Sequence, residues 1–173
     1  MKKTTAFIFT IGAAAALLCG CTKEDAARFE GNYSFKTSGT VTLSPQGSED
    51  AEQTETVQAK LISESGQMNI VKKGKSKSDM TITMNILAGD AVVFENVNAD
   101  GMVLTLLEPY TERQLVIETT DGTGTAYVSI SGTAQKFTDV ILFDLTYTGT
   151  ATVNGVEYQI SGSDIDCIAQ ENS

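Results

Sequence analysis

Residues 141–160, ILFDLTYTGTATVNGVEYQI, decide the fold of this chain. Large apolar side chains recur there at every second position, which places them on one face of a β-strand. Asn154-Gly155 interrupts the alternation, and this pair accepts the positive φ angles of a two-residue type I′ turn. The segment therefore predicts a β-hairpin. Its inward positions are Ile141, Phe143, Leu145 and Tyr147 before the turn, and Val156, Tyr158 and Ile160 after it.

The same alternation runs through most of the chain beyond residue 30. In residues 80–86, Met80, Ile82, Met84 and Ile86 alternate with Thr81, Thr83 and Asn85. Turn sequences at 88–90, 98–101 and 121–124 separate such runs, 45–53 predicts an acidic loop, and 132–136 allows a short helical turn. We count ten to twelve strands with short connections. This pattern predicts an all-β fold, an antiparallel meander closing into a barrel, with a β-sandwich as the alternative.

The N-terminus has the organisation of an export signal. Lys2 and Lys3 precede an uncharged stretch from 4 to 18. This stretch is shorter than the roughly 20 apolar residues that a membrane-spanning helix needs, but it suits a signal peptide. The alternative is a short anchor helix or a buried core helix. We predict a signal peptide over residues 1–20.

Leu18-Cys19-Gly20-Cys21 ends this stretch and resembles the bacterial lipobox, with an aliphatic residue three positions before the cysteine and a small residue directly before it. The resemblance implies that Cys21 is lipidated and holds the protein on a membrane; Cys19 is the alternative site. The next residues resemble the surface-export signal of Bacteroidetes lipoproteins, with Lys23, Glu24 and Asp25 in the matching positions. It implies an outer-membrane lipoprotein at the cell surface, the alternatives being an ordinary charged tether and attachment facing the periplasm. We expect residues 21–28 to form the lipidated tether and 29–173 a single domain.

Composition restricts the function classes. Removal of residues 1–20 takes away two lysines and no acid, so the net charge changes from −10 to −12. Such a chain repels nucleic-acid phosphates, and we predict no nucleic-acid partner. Cys167 is the one cysteine left beside Cys21, so no disulfide within the domain is expected. Cys167 lies an even number of positions from Ile165 and Ala169, so on a strand it shares their face, and we predict that it faces the core.

Gly31-x-Tyr33 opens the first strand and is similar to the Gly-x-Trp signature that begins lipocalin barrels, although this chain contains no Trp. Together with the lipobox and the meander, it resembles the calycin-like or lipocalin-like lipoproteins of the Bacteroidetes. The resemblance implies a barrel of about eight strands, which side chains can fill or which can hold one small ligand. The residues expected to line the core or a cavity are Met80, Met84, Met102, Phe143 and Tyr147.

The residue inventory argues against catalysis. Histidine is absent, which removes Ser-His-Asp and Cys-His arrangements and the usual zinc ligand sets. Asp164 and Asp166 share a strand face, but a hard cation needs more oxygen ligands than two acids supply. Asp139 and Asp144 are separated by an odd number of positions, so they cannot lie on the same face of a strand. We predict no metal, no cofactor and no enzymatic activity.

One basic cluster stands out in this acidic chain: Lys72, Lys73, Lys75 and Lys77. It predicts a solvated loop or an anion contact, for example with lipid headgroups or an acidic glycan. Two functions follow from the sequence as expectations. One is a non-catalytic binding module for a small apolar or amphipathic ligand. The alternative is an interaction protein that presents loops to a partner protein or a glycan.

Overall fold

A computed structural model describes residues 24–46 and 56–172. The predicted signal peptide, Cys21, Lys23 and most of the predicted acidic loop lie outside these residues. A 3₁₀ helix, Ala26–Arg28, precedes ten strands in the described part of the chain. They are β1 (Gly31–Pro45), β2 (Val57–Leu61), β3 (Ser65–Lys72), β4 (Asp79–Ile86), β5 (Val92–Asp100), β6 (Val103–Leu106), β7 (Tyr110–Thr119), β8 (Gly122–Lys136), β9 (Val140–Val153) and β10 (Val156–Glu171). Within the described ranges, no helix is long and apolar enough to cross a membrane.

The strands form an antiparallel meander whose last strand, β10, pairs with β1 and closes the sheet into a ring. This confirms the predicted all-β meander and its closure. At two positions around the ring, two short strands lie end to end in place of one long strand. β3 and β2 follow one another along β1, and β6 and β7 follow one another along β8.

The number of strands around the ring differs between its two ends. One end contains β1, β3, β4, β5, β6, β8, β9 and β10, and we call it the wide end; the N-terminal segment lies there. The β4–β5 hairpin stops midway, at residues 87–91. Beyond that level β2 pairs directly with β7, through Lys60 with Glu118 and Leu61 with Ile117. The opposite, narrow end therefore has a ring of β1, β2, β7, β8, β9 and β10.

Glycines lie where the long strands change partners. Gly39 separates the part of β1 that pairs with β3 from the part that pairs with β2. Gly132 has the same position in β8, between the β7 and β6 pairings. Their φ angles are 154° and 149°, and a Cβ at either would collide with the backbone of the adjacent strand. Glycine thus permits the bend that accompanies the change in ring size.

The apolar inward side chains of the ten described strands belong to one cluster. Met80, Met84, Phe143 and Tyr147 are buried in it. The expectation for Met102 is wrong: it lies in the β5–β6 turn and is 39% exposed. Val156 is also exposed, because it directly follows the Asn154-Gly155 turn at the end of the barrel. That turn has φ angles of 50° and 80°, as the predicted type I′ turn requires.

Three local predictions are corrected by the structure. Residues 132–136 belong to β8 and form no helical turn, because they pair with both neighbouring strands. Residues 98–100 end β5, so the turn begins at Gly101. The tether predicted to extend to Arg28 already belongs to the folded domain at Ala26, which is fully buried against the barrel.

Candidate functional site

A cleft of about 550 Å³ opens in the barrel wall at the level where the ring narrows. It lies between the connection from β2 to β3 (62–64), the β4–β5 turn (87–90) and the part of β7 from 110 to 116. The β4–β5 hairpin ends here and the direct pairing of β2 with β7 begins, so the wall is discontinuous. The volume is within the range of small-molecule sites.

A β-bulge shapes the β7 side of this cleft. The β7–β8 register shifts between Tyr110 and Arg113, and Glu112 adopts a left-handed conformation with φ 61°. Because the bulge adds a residue, Tyr110 and Arg113 both turn toward the barrel interior although they are three positions apart. The Tyr110 ring packs edge-on against Phe94, with 6.2 Å between the ring centroids.

Arg113 lies at the floor of the cleft and is only 8% exposed. Its Nη2 donates to Glu64 Oε1 at 2.6 Å, and its Nη1 lies 3.4 Å from the carbonyl oxygen of Asp90. Its Nε is buried and has no hydrogen-bond partner among the described residues. A buried N–H without an acceptor is costly, and a ligand oxygen would satisfy it once the side chains over the guanidinium move aside.

Backbone contacts fix both partners of this arginine. Thr37, a buried residue of β1, donates its N–H to the Glu64 carbonyl oxygen at 2.8 Å. The Glu64 N–H donates in turn to Thr37 Oγ1 at 3.1 Å. On the other side, a Cβ at position 89 would lie 3.1 Å from Arg113 Nη2, so Gly89 lets the β4–β5 turn approach the guanidinium closely. The ion pair is therefore positioned before any ligand binds.

The cleft combines this polar floor with an apolar rim. Ile62, Leu87 and Val116 line it and are respectively 48%, 81% and 49% exposed. The lining contains three acids, Glu64, Asp90 and Glu112, and one arginine, Arg113, so the cleft carries a net negative charge. The arrangement suits a molecule with an apolar part and a neutral hydrogen-bond acceptor better than it suits an anion.

Tyr147 is a core residue that lies close enough to Glu64 and Arg113 to feel their charges. Burial raises the pKa of its phenol, and the nearby Glu64 carboxylate raises it further. The group therefore stays neutral throughout the physiological range.

A second polar cluster closes the wide end. Tyr33 is fully buried, and its hydroxyl donates to the carbonyl oxygen of Phe29 at 2.8 Å. Lys136 is 8% exposed; its Nζ donates to Tyr33 Oη at 2.9 Å and to Glu171 Oε2 at 3.0 Å. Burial alone would lower the pKa of Lys136, but these two bonds outweigh it and raise the pKa. All its partners belong to the domain, so this cluster acts in closure.

The predicted basic cluster divides into two pairs. Lys72 Nζ contacts Glu24 Oε2 at 3.0 Å, and Lys73 Nζ donates to Asn96 Oδ1 at 2.9 Å. Lys75 and Lys77 are exposed in the β3–β4 loop. Two of the four are thus directed to solvent at the wide end. Of the predicted export signal, Glu24 and Asp25 lie in the described residues, and each contacts a basic residue, Asp25 contacting Arg28 at 3.6 Å.

The remaining candidates form no site. Asp139, Asp144, Asp164 and Asp166 are exposed, and in the part of the chain that the structure describes no three acidic or cysteine side chains gather as metal ligands. Cys167 is buried, and this burial raises the pKa of its thiol to about 12, so it is unreactive near neutral pH.

Arg113 and Glu64 are functional candidates that were not predicted from the sequence. Arg113 shares strand parity with the inward Leu115 and Ile117, and a charged residue at an inward position is a signal of a buried ion pair. Glu64 lies in a connection and carries no such signal. Comparison with protein-family models, curated proteins and solved structures finds no match for this chain.

Proposed function

We propose that the protein is a lipid-anchored outer-membrane lipoprotein displayed at the cell surface, and that its barrel is a non-catalytic binding module for a small amphipathic ligand. The cleft at the narrowing of the ring is the binding site. The observation that carries this proposal is the buried Arg113 Nε, which has no acceptor among residues 24–46 and 56–172 and lies at the floor of an apolar-rimmed cleft.

The ligand binds with its apolar part against Ile62, Leu87 and Val116. Its oxygen acceptor reaches Arg113 Nε when the side chains over the guanidinium move aside, since this atom is inaccessible without that movement. A neutral acceptor leaves the Arg113–Glu64 pair intact. An anionic group would have to displace Glu64 or lie beside Asp90 and Glu112, at a cost in repulsion. Leu87 would contribute most to affinity, because at 81% exposure it has the most surface to lose.

Nile red, a neutral apolar dye with a carbonyl oxygen, tests this site by fluorescence titration. Leu87→Ser should weaken binding about tenfold, because the contact area of one leucine is lost. Arg113→Lys keeps the charge opposite Glu64 but removes the Nε donor, and should weaken binding about fivefold. Ile168→Ser is the matched control, since Ile168 is 53% exposed on β10 and does not line the cleft.

No saturable dye binding, or an equal loss in Leu87→Ser and Ile168→Ser, would overturn the cleft as the site. Native mass spectrometry of protein from its own cells provides the second measurement. A retained small molecule that is lost from Arg113→Lys supports the proposal. A retained protein or glycan instead supports the loop-presenting interaction protein.

The anchor is tested separately. Cys21→Ala should remove the diacylglyceryl mass and release the protein from the membrane fraction, whereas Cys19→Ala should retain both. The reverse result would move the lipid to Cys19.

Surface export is tested by replacing Lys23, Glu24 and Asp25 with Ala and measuring protease accessibility on intact cells. Accessibility should fall while membrane attachment persists. Lys72→Ala is the control, because it breaks the Glu24–Lys72 contact and leaves the signal unchanged. Equal accessibility of the triple variant and the unaltered protein would remove the export interpretation.

A further inference from the structure

The N-terminal segment is fixed to the wide end of the barrel. Ala26 and Phe29 are fully buried there. The Ala26 N–H donates to the carbonyl oxygen of Lys77 at 2.9 Å, and Glu24 contacts Lys72 at 3.0 Å. The chain is therefore held in place from Glu24 onward.

Three residue steps separate Glu24 from Cys21, and their reach is at most about 10 Å in any conformation. We propose that the wide end of the barrel rests on the surface of the bilayer that holds the Cys21 acyl chains, with the narrow end directed away from it. This inference rests on the lipid anchor of the proposed function. Beyond the anchor, it assigns the surface of the domain that faces the lipid and the orientation of the barrel on the membrane.

The turns at the two ends differ as this orientation requires. At the wide end, Met102 and Phe137 are 39% and 49% exposed, and their turns adjoin, because the Lys136 N–H donates to the Met102 carbonyl oxygen at 2.9 Å. Apolar side chains at such tips bind in the headgroup and upper acyl region. In the described part of the narrow end, the turns carry Thr120-Asp121 and Asn154-Gly155, which have no apolar side chain to insert, and Val156 beside the second turn is the exposed apolar residue there.

The distribution of charged residues also favours the wide end as the surface that faces the bilayer. The wide end carries six of the nine basic residues in the described part of the chain and seven of its eighteen acids. The rest of the described chain has three basic residues, Lys36, Lys60 and the buried Arg113, against eleven acids, so anionic headgroups repel it more strongly than they repel the wide end. Lys75 and Lys77, both exposed in the β3–β4 loop, are placed to contact headgroup phosphates.

Two threonines allow a matched measurement of the orientation. Thr138 and Thr120 are both exposed, and they occupy the turns at opposite ends of β8. Fifteen residues of a tilted strand separate them by about 35–40 Å along the barrel axis. Thr138→Cys and Thr120→Cys each add one accessible thiol, since Cys167 is buried.

The experiment uses the acylated full chain, purified from membranes and bound to vesicles of phosphatidylcholine and phosphatidylglycerol that contain a headgroup nitroxide lipid. A fluorophore on Thr138→Cys should be quenched several-fold more than one on Thr120→Cys. Adding Met102→Ser and Phe137→Ser should reduce the quenching at position 138.

Equal quenching at the two positions, or stronger quenching at 120, overturns the orientation while leaving the anchor intact. If the unaltered protein does not float with the vesicles and carries no acyl mass, the anchor itself fails and this inference fails with it. Vesicle flotation and the protein's mass thus separate the two failures.

Discussion

The two ends of the barrel are closed by different means. Of the residues that the structure describes at the narrow end, the turns of the β7–β8 and β9–β10 hairpins cover the six-strand ring, and Asn154 Nδ2 donates to the Asp121 carbonyl oxygen at 2.9 Å between them. At the wide end, Phe29 from outside the sheet is fully buried, and Lys136 and Tyr33 hold the chain around it.

Ring size explains the difference. The diameter of a barrel grows with its strand number, so an eight-strand ring leaves more space at its opening than a six-strand ring. The wide end therefore requires residues from outside the sheet, and its stability depends on a segment that precedes the first strand. We expect perturbations of the wide end to reveal this dependence.

The largest effect is expected in β4, a strand that belongs to the wide part alone. Ile82 is fully buried, so Ile82→Asp buries an unpaired charge and should unfold the domain or cost several kcal/mol. Thr83→Asp, on the opposite face, should cost under about 1 kcal/mol. Urea denaturation of both variants checks this, and similar costs would contradict the inward register of β4.

Phe29→Ala tests the closure of the wide end directly. Phe29 is fully buried, and its truncation should cost about 3–5 kcal/mol through lost contacts and the remaining cavity. Hydrogen exchange should increase most in β3 and β4 and least in β7. Uniform exchange across all the strands would show that the two ends are not separable.

Alkaline pH should lower the free energy of unfolding through groups in both the wide end and the core. The pKa values of Tyr33, Lys136 and Cys167 are all raised in the folded state, so unfolding releases protons and stability falls as pH rises. For Cys167 the loss starts at its ordinary pKa of 9.0 and continues to about 12. Near pH 10.5, the Cys167 thiol should account for a loss of about 2 kcal/mol in the free energy of unfolding. Cys167→Ala should flatten the slope of stability against pH, and an unchanged slope would contradict this assignment.

The smallest effect is expected at the narrow end. Gly155 has φ 80°, and a Cβ there would meet nothing within 4 Å, so Gly155→Ala acts through backbone strain alone. The cost should be about 1–2 kcal/mol by thermal denaturation. Val156→Ala, at an exposed neighbouring position, is the control and should be almost neutral. A loss as large as that of Phe29→Ala would remove the contrast between the ends.

Local sequence patterns were sufficient to predict the strands and the Asn154-Gly155 hairpin, because side-chain alternation and turn conformation depend on near neighbours in sequence. The same rule failed at Met102. Its parity matches the buried Leu104 and Leu106, but alternation holds only within a strand and Met102 lies before β6 begins. Lys136 has inward parity with Ala134, yet a lysine is expected in solvent until its partners at positions 33 and 171 are known.

The sequence by itself determined the all-β class, the antiparallel meander and the inward parity of β4, since each follows from period-2 hydrophobicity and short connections. Closure into a barrel instead of a sandwich was decided by the tertiary structure, through the pairing of β10 with β1. The tertiary structure decided where the ring narrows, because this depends on how far the β4–β5 hairpin extends relative to its neighbours. It also decided the Arg113–Glu64 pair, whose members lie 49 residues apart and meet only across the discontinuity in the wall. Contacts between distant segments are set by closure of the sheet, which no local pattern encodes.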